Sequence, residues 1–396
     1  MRKVVIAGVG MTPFGKFIGR SVRALAEEAV SAALADANAQ VADIGMVFFG
    51  NATSGLITGQ EMIRGQVALR NTGLMGRPII NVENACASGS TAFHLAWLAV
   101  RSGQCEVALA VGAEKLTHED KQVSLRAMEA ATDLAELQEL KQRFGTTGNG
   151  APKSIFMDIY AVRTRAYMER SGATAEDFAR IAVKSHRYGS VNPRAQYREE
   201  VTIKQVLDSR PISPPITLLM CAPIGDGAAA VLVATDAYAR RIGSRHVEVR
   251  ASVLVSGSGD SGMPLGVTRA SREAYEVAGV EPKDIHVVEL HDATAPAELM
   301  LYETLGFCAA GEGPALLRSG ATDIGGRMPV NPSGGLLSKG HPVGATGCAQ
   351  IVELTEQLRG EAGPRQRPAA TIALAENGGG TIGADTAAIA VTILAR

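Results

Sequence analysis

Short apolar runs alternate with longer stretches of helical period along this chain. Residues 4–9, Met46–Gly50 and residues 107–111 are near-continuously apolar, the pattern of short strands buried on both faces. Residues 21–37 and 87–101 carry apolar or small side chains at helical spacing. The alternation predicts an α/β layered fold.

The second half echoes the first. A helical stretch, the pair Asp43-Ile44 and the strand MVFFGNA are matched by a helical stretch, Asp284-Ile285 and HVVELHDA. Later in each half a run of small residues, 86–91 and 344–347, leads as a turn into a helix, followed by a final apolar strand pair. Internal duplication is the reading favoured; a shared α/β layout without duplication is the alternative. Residues 114–213 differ. They are richer in charge, hold a glycine-rich stretch at 144–150, and carry amphipathic segments at 154–170 and 174–188. The expected organisation is an N-terminal half of residues 1–113 with 214–245, an inserted helical loop domain of 114–213 laid over it, and a C-terminal half of 246–396. The length of 396 residues suits it, being about two to three typical domains.

Composition narrows the function. Hydrophobic residues make up 46% and charged residues 20%, with a formal net charge of −1. Neither a nucleic-acid footprint nor a polybasic membrane patch is expected. The five cysteines are odd in number and none forms a C-x-x-C pair, which argues against zinc ribbons and disulfide frameworks. No run approaches the ~20 apolar residues of a membrane span, so a cytoplasmic enzyme is the expectation.

Two residues stand out chemically. Cys86, in Asn84-Ala85-Cys86-Ala87-Ser88-Gly89-Ser90, lies at or just before a helix N-terminus, where free N–H groups and the helix dipole favour thiolate. A buried packing cysteine is the alternative. His341, in Lys339-Gly340-His341-Pro342, sits on a constrained loop before a helix and could serve as the base for that thiol; an exposed loop histidine is the alternative.

Four segments together resemble the thiolase superfamily: 84–90, 218–230 (LLMCAPIGDGAAA), His291-Asp292, and 331–347. His291-Asp292 points to the sterol-carrier-type and archaeal subgroup; many other thiolases carry Asn-Glu there. The resemblance implies two duplicated α/β halves in five layers, αβαβα, with a covering loop domain. It implies a homodimer, acyl-CoA and CoA as substrates, and no permanently bound cofactor or metal. Cys86 would be the nucleophile and His341 its base. His341 with His291 would form one oxyanion hole, and the backbone N–H groups of Cys86 and Gly378 a second. Cleavage of a 3-oxoacyl-CoA by CoA is the implied reaction.

The chain departs from the family where a second acid/base is needed. Ala293 and Thr294 follow His291-Asp292 where relatives carry Cys-Phe, and Glu376 stands at a position that is usually Cys or His. Burial would raise Glu376 toward neutrality and suit it to acid/base work; orienting a histidine is its alternative role. Ala293 and Thr294 are expected to widen the site for a bulky or branched substrate such as benzoylsuccinyl-CoA. A small zinc-ribbon/OB-fold partner subunit is a further expectation. Lys184, His186 and Arg187 are candidates for the CoA phosphates, with a solvated helix face as the alternative. Two rival functions remain: a retro-aldolase on the same fold with such a partner, which would not need Cys86, and a non-catalytic acyl-CoA-binding subunit.

Overall fold

The computed structural model describes residues 2–144, 154–259, 263–383 and 385–396. The glycine-rich residues 145–150 lie outside them. Strands β1 (Val4–Met11), β2 (Met46–Gly50), β3 (Ile79–Val82), β4 (Val107–Glu114) and β5 (Gly227–Thr235) lie in the order β3-β2-β4-β5-β1. Strands β6 (Val247–Ser256), β7 (Val287–Glu289), β8 (Ile372–Ile382) and β9 (Asp385–Ala395) continue as β6-β9-β8-β7. Only Val5 opposite Glu248 and Ile6 opposite Val247 join β1 to β6, so the sheet is in effect two sheets hinged at one short ladder.

The two sheets repeat one another. β2 and β4 run parallel, as do β7 and β8. The next two pairings are antiparallel in each half, β4–β5–β1 and β8–β9–β6. Helices α1 (Val22–Ala37) and α6 (Gly266–Ala278) hold equivalent places. After each comes a one-turn 3₁₀ helix. The Asp43 carboxylate accepts from Gln40 N–H at 3.0 Å in one, and Asp284 from Glu281 N–H at 2.8 Å in the other. The two Asp-Ile pairs are thus the same device, a capping box that turns the chain into a strand.

Helices α2 (Ser88–Ser102) and α8 (Val343–Arg359) form the middle of five layers. Val4 and Ile6 of β1 face inward to a core shared with Phe93 and Ala96 of α2 and Ile351 and Leu354 of α8. Val5 and Ala7 face outward to Leu25, Ala29 and Ala33 of α1. Both faces of the strand are therefore covered, which is why its sequence does not alternate. Helix α6 covers the outer face of the second sheet, with Ala270 and Ala274 against Ala251 and Ile389. Helices α3 (Lys121–Glu129), α4 (Ile155–Ser171) and α5 (Ala175–Ser190) occur between β4 and β5 in the chain. Ser154 and Thr174 N-cap the latter two. Helix α7 (Ala295–Thr304) follows β7.

The small residues of 344–347 are not a turn, as their composition suggested; they are the first turns of α8. A Cβ on Gly89 would stand 2.7 Å from the Gly344 carbonyl, and one on Gly347 would stand 2.3 Å from Ser90 N. Both distances are below contact, so the glycines let α2 and α8 touch backbone to backbone. That approach brings the N-terminal ends of the two duplicated helices together at the centre of the molecule. The segments that carry Cys86 and His341 immediately precede them.

Buried Asp226 ties two chain segments beside that centre. It accepts from Phe17 N at 2.9 Å, Leu116 N at 2.9 Å and Thr117 N at 2.8 Å, and pairs with Lys115 Nζ at 2.7 Å. Asp226→Ala leaves the buried Lys115 ammonium without its counter-charge. We expect a loss of about 3–5 kcal/mol, read as a lowered midpoint in urea unfolding.

Candidate active site

Cys86 sits in a 3₁₀ turn, Ala85–Ala87, that runs directly into α2. Ala85 is held in the left-handed region at φ +48°, which costs a non-glycine residue energy and needs surrounding bonds to hold it. Those bonds are present. Ala85 N–H donates to Glu83 Oε1 at 2.6 Å, and Ser88 Oγ donates to the Ala85 carbonyl at 2.7 Å. The turn presents the thiol at the end of a cavity of about 630 Å³.

The expected thiolate is not the resting state. Burial pushes the Cys86 thiol up to about 12, and the Glu114 carboxylate adds to the rise. Its own N–H and that of Gly380 pull the other way without reversing it. The helix terminus is there, but desolvation outweighs it.

His341 supplies what the helix end does not. Gly340, at φ +107°, and Pro342, the N-cap of α8, aim the ring back at Cys86. Its Nε2 lies 3.3 Å from Cys86 Sγ. The Thr346 hydroxyl donates to the Pro342 carbonyl at 3.1 Å, so its oxygen accepts from His341 Nδ1–H at 2.7 Å. This assigns the proton to Nδ1 and leaves the Nε2 lone pair facing the thiol. Burial, with His291 and Lys339 nearby, holds His341 well below the usual imidazole range. The resting pair is therefore neutral thiol and neutral imidazole.

His291 Nε2 lies 3.4 Å from His341 Nε2, and burial lowers its pKa to about 4. The segment around it, residues 290–292, is held at three points. Leu290 N–H donates to Asn331 Oδ1 at 2.7 Å, His291 N–H to Glu376 Oε2 at 3.1 Å, and Asp292 Oδ1 accepts from Leu336 N–H at 2.8 Å. Glu376, on β8, is buried and raised to about 7 by that burial. Its side chain is not on the cavity wall; Gly378 is. A Cβ at Gly378 would lie 3.6 Å from Glu376 Oε1 and 3.7 Å from His291 Nδ1. The Thr386 methyl is nearer still, at 3.0 Å, so this part of the wall is made by Gly378 and Thr386 with Glu376 and His291 beside them.

The structure corrects other expectations. Lys184 is buried, with its ammonium on Glu298 and Tyr302. His186 is buried too, with Nδ1 3.1 Å from the Glu199 carbonyl. Arg187 is half-exposed beside Asp323. None of the three lines the cavity. The helical period of α5 places the first two inward, and sequence alone did not set its rotation. Ala293 is on the cavity wall, but Thr294 is wholly buried behind it. Cys221 is also on the wall, while Cys348 donates into the core to the Gly89 carbonyl at 3.3 Å.

Comparison with known proteins places the chain in a family. Residues 4–211 match the thiolase N-terminal domain, and residues 258–392 match the thiolase C-terminal domain-like family. The chain belongs to the thiolase family. It is 40% identical over 98% of its length to 99% of an acetyl-CoA acetyltransferase from Methanothermobacter thermautotrophicus. It is 38% identical over 96% of its length to 95% of benzoylsuccinyl-CoA thiolase subunit BbsB from Thauera aromatica. It is also 36% identical over 95% of its length to 70% of human sterol carrier protein 2. Among solved structures, the Ltp2-ChsH2(DUF35) aldolase matches with a TM-score of 0.79 at 28% identity, over 99% of this chain and 97% of that one. Human mitochondrial 3-ketoacyl-CoA thiolase shares the fold, with a TM-score of 0.69 at 20% identity over 100% and 98% of the two chains.

In this thiolase the cations on the cavity wall are Lys16, Lys121, Arg163 and Arg210. They come from segments far apart in sequence and share no spacing, so no local signal marked them. The Gly380 N–H was missed for a similar reason. It depends on the register of β8 against the Cys86 turn, where a Cβ on neighbouring Gly379 would stand 2.1 Å from the Asn84 carbonyl. No helix among the described residues is long and apolar enough to cross a membrane.

Proposed function

We propose that the protein is an acyl-CoA C-acyltransferase that cleaves a 3-oxoacyl-CoA with CoA through an acyl-Cys86 intermediate. The observation that carries this is the His341 Nε2 lone pair 3.3 Å from the Cys86 thiol, at the end of a cavity also reached by His291. The names of two relatives, an acetyl-CoA acetyltransferase and a thiolase subunit, support it.

His341 Nε2 takes the thiol proton as Sγ attacks the 3-keto carbon. His291 and the now protonated His341 turn two N–H donors on the thioester oxygen. The C2–C3 bond breaks, its electron pair passes into that enolate, and a proton from Glu376 completes the departing acyl-CoA at C2. CoA thiol then loses its proton to the Glu376 carboxylate and attacks the acyl-Cys86 carbonyl. Sγ leaves and recovers its proton from His341. The N–H groups of Cys86, Gly378 and Gly380 are the donors available to the tetrahedral oxygens. Lys16, Lys121 and Arg210 suit the CoA phosphates, in place of the three residues expected from sequence.

The cavity size and the small Ala293 favour a bulky or branched acyl group, and benzoylsuccinyl-CoA is the substrate proposed. A homodimer is supported by β3, which is an edge strand, and by the exposed Met62 and Ile63. A small zinc-ribbon/OB-fold partner is supported by the likeness to the DUF35-containing aldolase complex.

Incubation with 3-oxoacyl-CoA, without free CoA, should leave one acyl mass on the Cys86 peptide in mass spectrometry. Cleavage that persists in Cys86→Ala with no adduct in the wild type would make the protein a retro-aldolase instead. Binding without cleavage or adduct would make it a non-catalytic subunit.

A further inference from the structure

The CoA arm and the acyl group must leave Cys86 in different directions. In the reading above the arm is directed to the cations Lys16, Lys121 and Arg210, which lie on the cavity wall. The rest of the cavity wall is mostly apolar and includes Leu125 and Met128 of α3 and Phe156 and Met157 of α4. Cys86, Met128 and Ala131 each line a second space as well, a cleft of about 40 Å³. Its further walls include the apolar Ala52, Leu56, Ala127 and Val343, with Thr53 and Glu83 as the polar members. Leu56 is 54% exposed, so the cleft leads outward between α3 and the 54–58 helix.

Of the three residues shared by the two spaces, two have short side chains. Met128 carries the one long side chain among them. It packs against the apolar cluster that holds Cys86, Ile57, Leu116 and Val343. Its unbranched, flexible chain is suited to filling a gap or vacating it.

We propose that Met128 sets the length limit of the acyl group carried on Cys86, and that the cleft behind it is the extension of the site for a straight acyl chain. The inference rests on the acyltransferase reading above. The large cavity accommodates breadth near the thiol; the passage at Met128 governs reach. Removing the methionine side chain joins the two spaces, and an aromatic ring seals them apart.

The test compares wild type, Met128→Ala and Met128→Phe with straight-chain acyl-CoA thioesters from acetyl-CoA to palmitoyl-CoA. The readout is the ratio of long-chain to short-chain rates of Cys86 acylation, by intact-protein mass, within each preparation. A ratio within one preparation is insensitive to the fraction folded. Each further methylene that finds an apolar site is worth about fourfold. Met128→Ala should therefore raise the ratio by about tenfold or more for the first chains beyond the wild-type limit, and Met128→Phe should lower it below wild type. An unchanged length limit in both variants overturns this inference alone. Absence of any Cys86 adduct in the wild type overturns the acyltransferase reading and this inference with it.

Discussion

Replacing His341 by Ala should slow acylation of Cys86 by about three orders of magnitude, toward the upper end of what general base catalysis contributes. The size follows from the state of the thiol. With Cys86 pushed up to about 12, only about one molecule in 10⁵ carries thiolate at pH 7. The helix end does not make this cysteine a nucleophile unaided; it must lose its proton during attack, to the base 3.3 Å away. Single-turnover mass spectrometry of the adduct reads the rate directly. Because the thiol remains, raising the pH should recover part of the loss in His341→Ala by supplying thiolate from solvent. A variant that acylates within tenfold of wild type at pH 7 would remove His341 from the base role. Thr346→Val should act in the same direction and less strongly, since it removes the acceptor that fixes the proton on Nδ1.

Much of the fold was legible because the sequence carries the same signal twice. The Asp-Ile pairs, the buried strands and the small-residue runs recur in order, and they go with sheets of matching strand order. Cys86, His291 and His341 were legible from motifs, each on a backbone shaped by Gly, Pro or a capping contact. The electrostatic state of the site was not. A helix N-terminus reads as favourable to thiolate, but the cost of burial depends on what packs over it. Here that includes α3 and the buried Glu114, parts of the chain remote from Cys86. The cations on the cavity wall were equally illegible. Lys184 and His186 have the composition of a phosphate site and the burial of a core. Only the rotation of α5, fixed by its contacts with α7 and the Glu298 carboxylate, separates the two.

Glu376→Gln should cost thiolytic turnover about 10²–10⁴-fold while leaving the acyl adduct on Cys86 able to form. The amide oxygen of Gln can still accept from His291 N–H as Glu376 Oε2 does, so the clamp on His291 survives and only proton transfer is removed. If Glu376 merely positions His291, Gln should keep turnover within about tenfold. The pH profile separates the two roles further. A carboxyl at about 7 should impose an ionisation near neutrality on wild-type turnover that the Gln variant lacks. The same burial has a thermodynamic signature independent of catalysis. In the unfolded chain Glu376 returns to its ordinary value of 4.5. Between about pH 4.5 and 7 the folded protein therefore holds a proton that the unfolded chain has released, and stability falls as pH rises through that window. The gap is worth about 3 kcal/mol by pH 8. Glu376→Gln carries no such group, so its stability relative to wild type should rise by about that amount from pH 4 to pH 8 in denaturant titrations. A flat difference across that range would mean that Glu376 titrates as an ordinary carboxylate and has no proton to give the enolate at neutral pH.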